Sequence, residues 1–237
     1  MIAHRAALRL SRLGPPYQAE TLQSAYRILE RLSPSQGWMT FGILLLLMMI
    51  VGDSLIKARW VETPGLTVVL ALGALTGLVL AKTRAHWALH HLGGLAVGAA
   101  VVVWQVSSLV EGPSPLDRTQ GLWDRLTEWY DAVVSGGIST DLLPFSMAIL
   151  TLAWLLGYMG AWFVFRRNNI WVAVVLGGVA ILTNLSFLPS GHAIRFFAFT
   201  FVAMMLVARM SVLQTHEAWL RLRIGFSPLT SWLTLHS

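Results

Sequence analysis

WMTFGILLLLMMIVGDSLI, residues 38–56, carries one charged residue in nineteen positions, and that residue, Asp53, lies near the end of the run. A helix of this length rises about 28 Å, close to the thickness of a bilayer's hydrocarbon core. Lipid offers no water to satisfy backbone N–H and C=O groups, so such a run crosses as a helix. Five more runs of the same character follow, at about Pro64–Ala81, Trp87–Val110, Leu142–Phe165, Ile170–Leu188 and Ile194–Leu213. The sequence therefore predicts an all-α integral membrane protein, with residues 38–213 forming a bundle of six transmembrane helices.

Composition agrees. Of 237 residues, 56% are hydrophobic and 12% are charged, and the mean hydropathy is +0.65. Soluble domains carry about 25% charged residues. Half that share leaves too little polar surface to coat a soluble fold. There is no cysteine, which excludes disulfides, thiolate metal sites, iron–sulfur clusters and a cysteine nucleophile. A net charge of +6 would suit nucleic acid if the basic residues formed a patch. They lie instead in short segments between apolar runs, so the expected partner is the lipid bilayer and not nucleic acid. Residues 1–37 are too polar for a cleavable signal, and the run after them is long enough to be a span.

Charge also orients the chain. With the N-terminus inside, the inner segments hold twelve basic residues: Arg5, Arg9, Arg12, Arg27, Arg31, Lys82, Arg84, Arg166, Arg167, Arg209, Arg221 and Arg223. The outer segments hold five: Lys57, Arg59, Arg118, Arg125 and Arg195. This asymmetry satisfies the positive-inside rule and predicts both termini in the cytoplasm. Residues 1–37 read as a basic cytoplasmic segment and residues 214–237 as a cytoplasmic interfacial tail. Residues 114–141 fall outside. There Leu122, Leu126, Trp129, Tyr130 and Val133 share one helical face, and charged residues fill the rest. They predict an amphipathic helix, lying at headgroup depth or packed over the bundle mouth, and ended by Gly136-Gly137. Trp38, Trp60, Trp87, Trp162 and Trp171 stand near span ends, as an interfacial aromatic belt does.

Few polar groups enter the spans. Asp53 is expected to pair with Lys57 one turn on. Gln105, deep in the third span, and Asn184, deep in the fifth, are expected to hydrogen-bond between helices. Gly73 with Gly77, and Gly94 with Gly98, are spaced for close helix packing, within the bundle or across a dimer. No run carries a charge at its centre, which argues against an ion or proton pathway. His86 and His90 lie one turn apart, a spacing that suits a metal or the axial ligation of a pigment. Beside Lys82 and Arg84 they read better as interfacial imidazoles, because basic neighbours suit the interface more than cation binding. No other metal or cofactor ligands are expected.

Pro189-Ser190-Gly191-His192 resembles the PSGH motif of the type 2 phosphatidic acid phosphatase superfamily. The flanking motifs of that family fail here: Pro64 follows Lys57 without the preceding Arg, Ala208 stands in the Ser place, and Leu220 replaces the Asp. In the predicted topology His192 and His216 face opposite sides of the membrane. A lipid-phosphate phosphatase is therefore disfavoured.

A longer resemblance runs from Leu122 to Leu188. It takes in Leu122-Trp123 and Trp129, then Gly136-Gly137-Ile138-Ser139-Thr140-Asp141, then Trp154, Gly157 and Tyr158. It continues through Trp162, Phe165-Arg166-Arg167-Asn168-Asn169, Trp171, Gly177-Gly178 and Leu182-Thr183-Asn184-Leu185. The tail adds Trp219 and Phe226-Ser227-Pro228. These stretches resemble the N-terminal multi-pass membrane region of bacterial transglutaminase-like proteins, especially the form found in filamentous anoxygenic bacteria. Members of that family continue into an extracytoplasmic domain with a Cys-His-Asp site. This chain has no cysteine, so no catalytic residue carries over. The resemblance implies a non-catalytic module that acts as an anchor, a scaffold or a partner-binding subunit. The bacterial group adds an alternative, an accessory subunit of an energy-transducing, photosynthetic membrane complex, in which His86 or His90 would face a pigment.

Overall fold

The computed structural model describes residues 36–83 and 86–221, with side chains placed except at 189–192 and 216–221. The described residues form seven α helices and no strand. They are α1 (Trp38–Ala58), α2 (Leu66–Lys82), α3 (Trp87–Ser107), α4 (Pro115–Val134), α5 (Leu143–Arg167), α6 (Trp171–Phe187) and α7 (Pro189–Arg221). Helices α1, α3, α5 and the Ala193–Thr215 part of α7 are long and apolar enough to cross a membrane, while α2 and α6 are apolar and 17 residues long. The chain is a multi-pass transmembrane helical protein.

Local chemistry sets the helix ends. Ser114 opens α4 with a capping box: its Oγ accepts from the Asp117 N–H at 3.2 Å, and Asp117 Oδ2 accepts from the Ser114 N–H at 3.1 Å. Gly136, at φ 75°, and the Gly137 N–H bonded to the Ala132 carbonyl at 2.7 Å end it, as the glycine pair predicts. Helix α5 closes on Asn168 at φ 52°, with the Asn169 N–H reaching back to Phe163 O at 3.1 Å. Asparagine tolerates this left-handed position, and Arg166 and Arg167 complement the negative end of the helix dipole.

Three boundaries differ from the sequence expectation by three residues or more, one of them the start of α7, at Pro189 and not Ile194. Helix α3 stops at Ser107, not Val110. Ser107 and Ser108 fold their hydroxyls onto the carbonyls of Trp104 and Gln105, at 2.8 and 2.6 Å, and the chain tightens into i−3 bonds through Val110. Gln105 thus stands in the last turn, half-buried, and is not deep in a span. Helix α7 passes the expected end at Leu213 and continues to Arg221, because nothing between them breaks a helix. The expectations for residues 1–35 and 222–237 lie outside the described residues.

Gln105 packs instead on Gly65, which precedes α2 in the left-handed region at φ 56°. A Cβ there would meet Gln105 Cδ at 2.8 Å. Gly65→Ala is expected to lower stability by about 1–3 kcal/mol through backbone strain and crowding. Gly42→Ala, where a Cβ meets nothing within 4 Å, is the control, and thermal melts in detergent compare the two.

Helix α5 is the centre of the bundle: 61% of its apolar window is buried, against 22% for α3 and 28% for α7. The α2–α5 contact is the most extensive, and α1 packs on α2, α6 and α7.

Candidate functional site

Trp154, Tyr158 and Trp162 recur every four residues and so share one face of α5. All three are buried. Around them the structure gathers most of the residues singled out in the sequence. A Cβ on Gly73 would meet the Trp154 carbonyl oxygen at 2.8 Å and Tyr158 N at 3.1 Å. One on Gly77 would strike the Tyr158 carbonyl. On α5, Gly157 answers them against the Leu70 carbonyl. The α2 glycines therefore serve contact between two backbones inside the bundle. The α3 glycines serve rings. Gly94 receives the Tyr158 phenol and Gly98 the Trp154 indole. Trp154 Nε1 donates to Gly94 O at 3.2 Å, and the Tyr158 hydroxyl donates to His90 O at 2.9 Å.

That second bond fixes the histidines. The hydroxyl has one hydrogen, given to a carbonyl, so at 3.1 Å from His91 Nδ1 it accepts, and His91 carries a proton on Nδ1. Thr83 Oγ1 donates to Leu80 O at 2.9 Å and by the same reasoning accepts from His90 Nε2 at 2.6 Å. Arg166 Nη1 then reaches the carbonyls of Ala81 and Thr83, at 3.2 and 3.1 Å. The ends of α2, α3 and α5 are tied together.

His86 and His90 do not converge on a shared ligand position. His86 is exposed and its Nδ1 accepts from the Ala88 N–H at 3.3 Å, while His90 is 1% exposed. Among the described residues no group of three His, Cys, Asp or Glu side chains is placed to hold a metal ion. Trp162 also departs from expectation. It is 4% exposed and its ring lies 4.9 Å from the His91 ring, tilted at 53°, because its face of α5 points into the bundle. The other four belt tryptophans are exposed. Trp162 Nε1 and His90 Nδ1 are buried without a hydrogen-bond partner among the described residues.

A second polar cluster links α1 and α6. Asn184 is buried, donates Nδ2 to Ser54 Oγ at 3.1 Å and accepts from Trp60 Nε1 at 3.2 Å. It bonds between helices as expected, but from the last turn of α6 beside Trp60 and not from deep in a span. Asp53 does not pair with Lys57. Its Oδ2 accepts from Arg195 Nε of α7 at 2.6 Å, a partner 142 residues away that no local spacing reveals. Arg209 lies at the opposite end of α7, where its Nε donates to Thr40 Oγ1 at 2.9 Å.

The amphipathic helix α4 packs by its middle turns. Leu122 is 3% exposed and Leu126 packs on the core, whereas Tyr130 and Val133 are exposed and Trp129 is half-buried. The expected five-residue face is thus only partly covered, because α4 leaves the bundle before its last turns. Arg125 anchors it with a two-pronged bridge, Nε to Asp141 Oδ2 at 2.8 Å and Nη2 to Oδ1 at 2.6 Å. The Leu143 N–H adds a third bond to Asp141, at 2.9 Å.

The Arg125 hydrogen bond holds the Asp141 carboxyl below its usual range, helped by Leu143 N–H and opposed by desolvation. A depressed carboxyl contributes stability above its ordinary value, which is lost as pH falls through the folded value. Acidification below about pH 4 is therefore expected to loosen α4. Hydrogen-exchange protection across residues 115–134 reads this. In Asp141→Asn protection is expected to be low already at neutral pH and nearly independent of acid. Protection in the variant equal to that of the wild type would show that the bridge does not hold α4.

Comparisons with protein-family models, curated proteins and solved structures found no match to this chain.

Proposed function

We propose that this chain is a six-span, non-catalytic module of the bacterial inner membrane that anchors and positions partner proteins, with both termini in the cytoplasm. The observation that carries this reading is how three buried polar side chains are satisfied. Trp154, Tyr158 and Asn184 all spend their hydrogen bonds on neighbouring helices. Such bonds stiffen a bundle, whereas a transport path needs polar groups turned toward water.

Helix directions support six crossings. Gly73, Gly77 and Ala81 of α2 meet Trp154, Tyr158 and Arg166 of α5 in rising order, so α2 runs parallel to α5 along its length. Gly177 meets Val51, and Asn184 meets Ser54, so α6 runs parallel to α1. Each short helix accompanies a long one. At about 25 Å each, α2 and α6 reach the lower limit for a span. The resemblance to the membrane region of transglutaminase-like proteins supports the anchoring role.

The glycine faces are consumed inside the bundle, which leaves the open flank of α3, with Trp87, Leu92, Leu95 and Trp104, as the proposed partner surface. Purification from native membrane in mild detergent, with the mass and subunits of the complex identified, tests the role. Stoichiometric partner chains are expected. A chain that runs alone contradicts partner binding.

A further inference from the structure

Two cavities share one stripe of α5. Leu142, Ser146, Ile149, Ala153 and Leu156 recur at alternating intervals of four and three residues and so line one face of the helix. Leu142 and Ser146 border a crevice of about 470 Å³, with Glu62, Leu109, Arg125 and Asp141 in its other walls. Ile149, Ala153 and Leu156 border a groove of about 520 Å³ between α5 and α6, otherwise walled by residues such as Leu152, Met159 and Val179. From Ile149 to Met159 the groove follows about 15 Å of helix, half the thickness of a hydrocarbon core. That length is close to the thickness of one leaflet's hydrocarbon.

The crevice at the head of this stripe has uncommitted charge of both signs. Glu62 is exposed and has no hydrogen-bond or ion-pair partner among the described residues. Arg125 commits Nε and Nη2 to Asp141 and keeps Nη1, with two of the five guanidinium hydrogens, toward other acceptors. Two carboxylates against one guanidinium leave the crevice net negative, so a headgroup with anionic charge alone is repelled. A headgroup with an ammonium beside a phosphate satisfies both ends.

We infer that the crevice and the groove together hold one zwitterionic phospholipid from the leaflet on the α4 side, with its ammonium at Glu62, its phosphate at Arg125 and an acyl chain along α5. This site rests on the six-span reading, which puts the groove at hydrocarbon depth.

Native mass spectrometry of the detergent-purified chain, titrated with phosphatidylethanolamine or phosphatidylglycerol of equal acyl length, tests it. One phosphatidylethanolamine is expected to bind, about fivefold more tightly than phosphatidylglycerol, the scale of a partly exposed ion pair. Glu62→Gln is expected to erase that preference without loss of fold. Val179→Trp, at an exposed position of the groove wall, is expected to weaken both lipids alike. Equal binding of the two lipids by the wild type, an unchanged preference in Glu62→Gln, or undiminished binding in Val179→Trp would each overturn the site. Cysteine mapping of the loops reads the six-span arrangement without involving Glu62 or Val179, so the two failures are distinguishable.

Discussion

Gly157→Val separates α2 from α5 and destabilises the bundle by about 3 kcal/mol, the upper end of the range for overpacking a core. The cost is high because the obstacles are main-chain atoms. At Gly157 an added Cβ would fall on the Leu70 carbonyl and lie 3.1 Å from Ala74 N. Across the same contact, Gly73 has the Trp154 carbonyl at 2.8 Å, and Gly77 has Trp162 N at 3.0 Å. A side chain could rotate away, whereas these helix backbones can only part. In lipid, close approach is itself the source of helix affinity, since apolar side chains gain little over acyl chains. Unfolding in a graded detergent mixture measures the loss, with Gly157→Ala falling between valine and wild type. Gly93→Val, at a position where a Cβ meets nothing within 4 Å, is expected to behave as wild type. Equal stability of Gly157→Val and Gly93→Val would mean that the helices do not meet through these glycines.

Trp154→Ala is expected to cost about 3–5 kcal/mol, as deletion of a fully packed aromatic ring does. The indole fills the gap that Gly98 leaves on α3, and its N–H caps the Gly94 carbonyl. The alanine variant loses both the volume and the bond, and α3 has little else to hold it. Among the described residues its only other substantial neighbours are α2 and the middle of α4. Trp154→Phe keeps most of the ring and loses the hydrogen bond, which is worth about 1 kcal/mol. The same unfolding assay should therefore rank alanine well below phenylalanine. Similar stabilities for the two would assign the contact to the hydrogen bond rather than to packing.

These two positions show how far the sequence could be read. Apolar runs announce helices because their length matches the bilayer, and glycines four residues apart announce close packing. Neither tells which surface is approached. Gly73 and Gly94 have the same spacing to the next glycine, yet one faces a backbone and the other a phenol ring. Spacing within a helix records neighbours along that helix only. Hence sequence spacing puts Asp53 in reach of Lys57, whereas folding puts it in reach of Arg195. The four-residue recurrence of Trp154, Tyr158 and Trp162 was the legible signal of the site's centre, and it meets a stripe of the same period, His90, Gly94, Gly98 and Val102, on α3. Trp162 stands near a span end, where tryptophan commonly faces lipid headgroups. Its rotation about the helix decided otherwise. Hydropathy puts Gln105 deep in a span, whereas serine hydroxyls end α3 early, a local competition that hydropathy does not register.

The proposed six crossings are tested most directly by single cysteines in a chain that has none of its own. Thr63→Cys, Thr83→Cys, Ser139→Cys and Asn169→Cys place one thiol in each of four connections between the helices. In intact cells, a membrane-impermeant maleimide is expected to label positions 63 and 139 and to reach 83 and 169 only after permeabilisation. Labelling of position 83 together with 63 in intact cells, with 139 protected, would mean that α2 does not cross, and the six-span module would be contradicted.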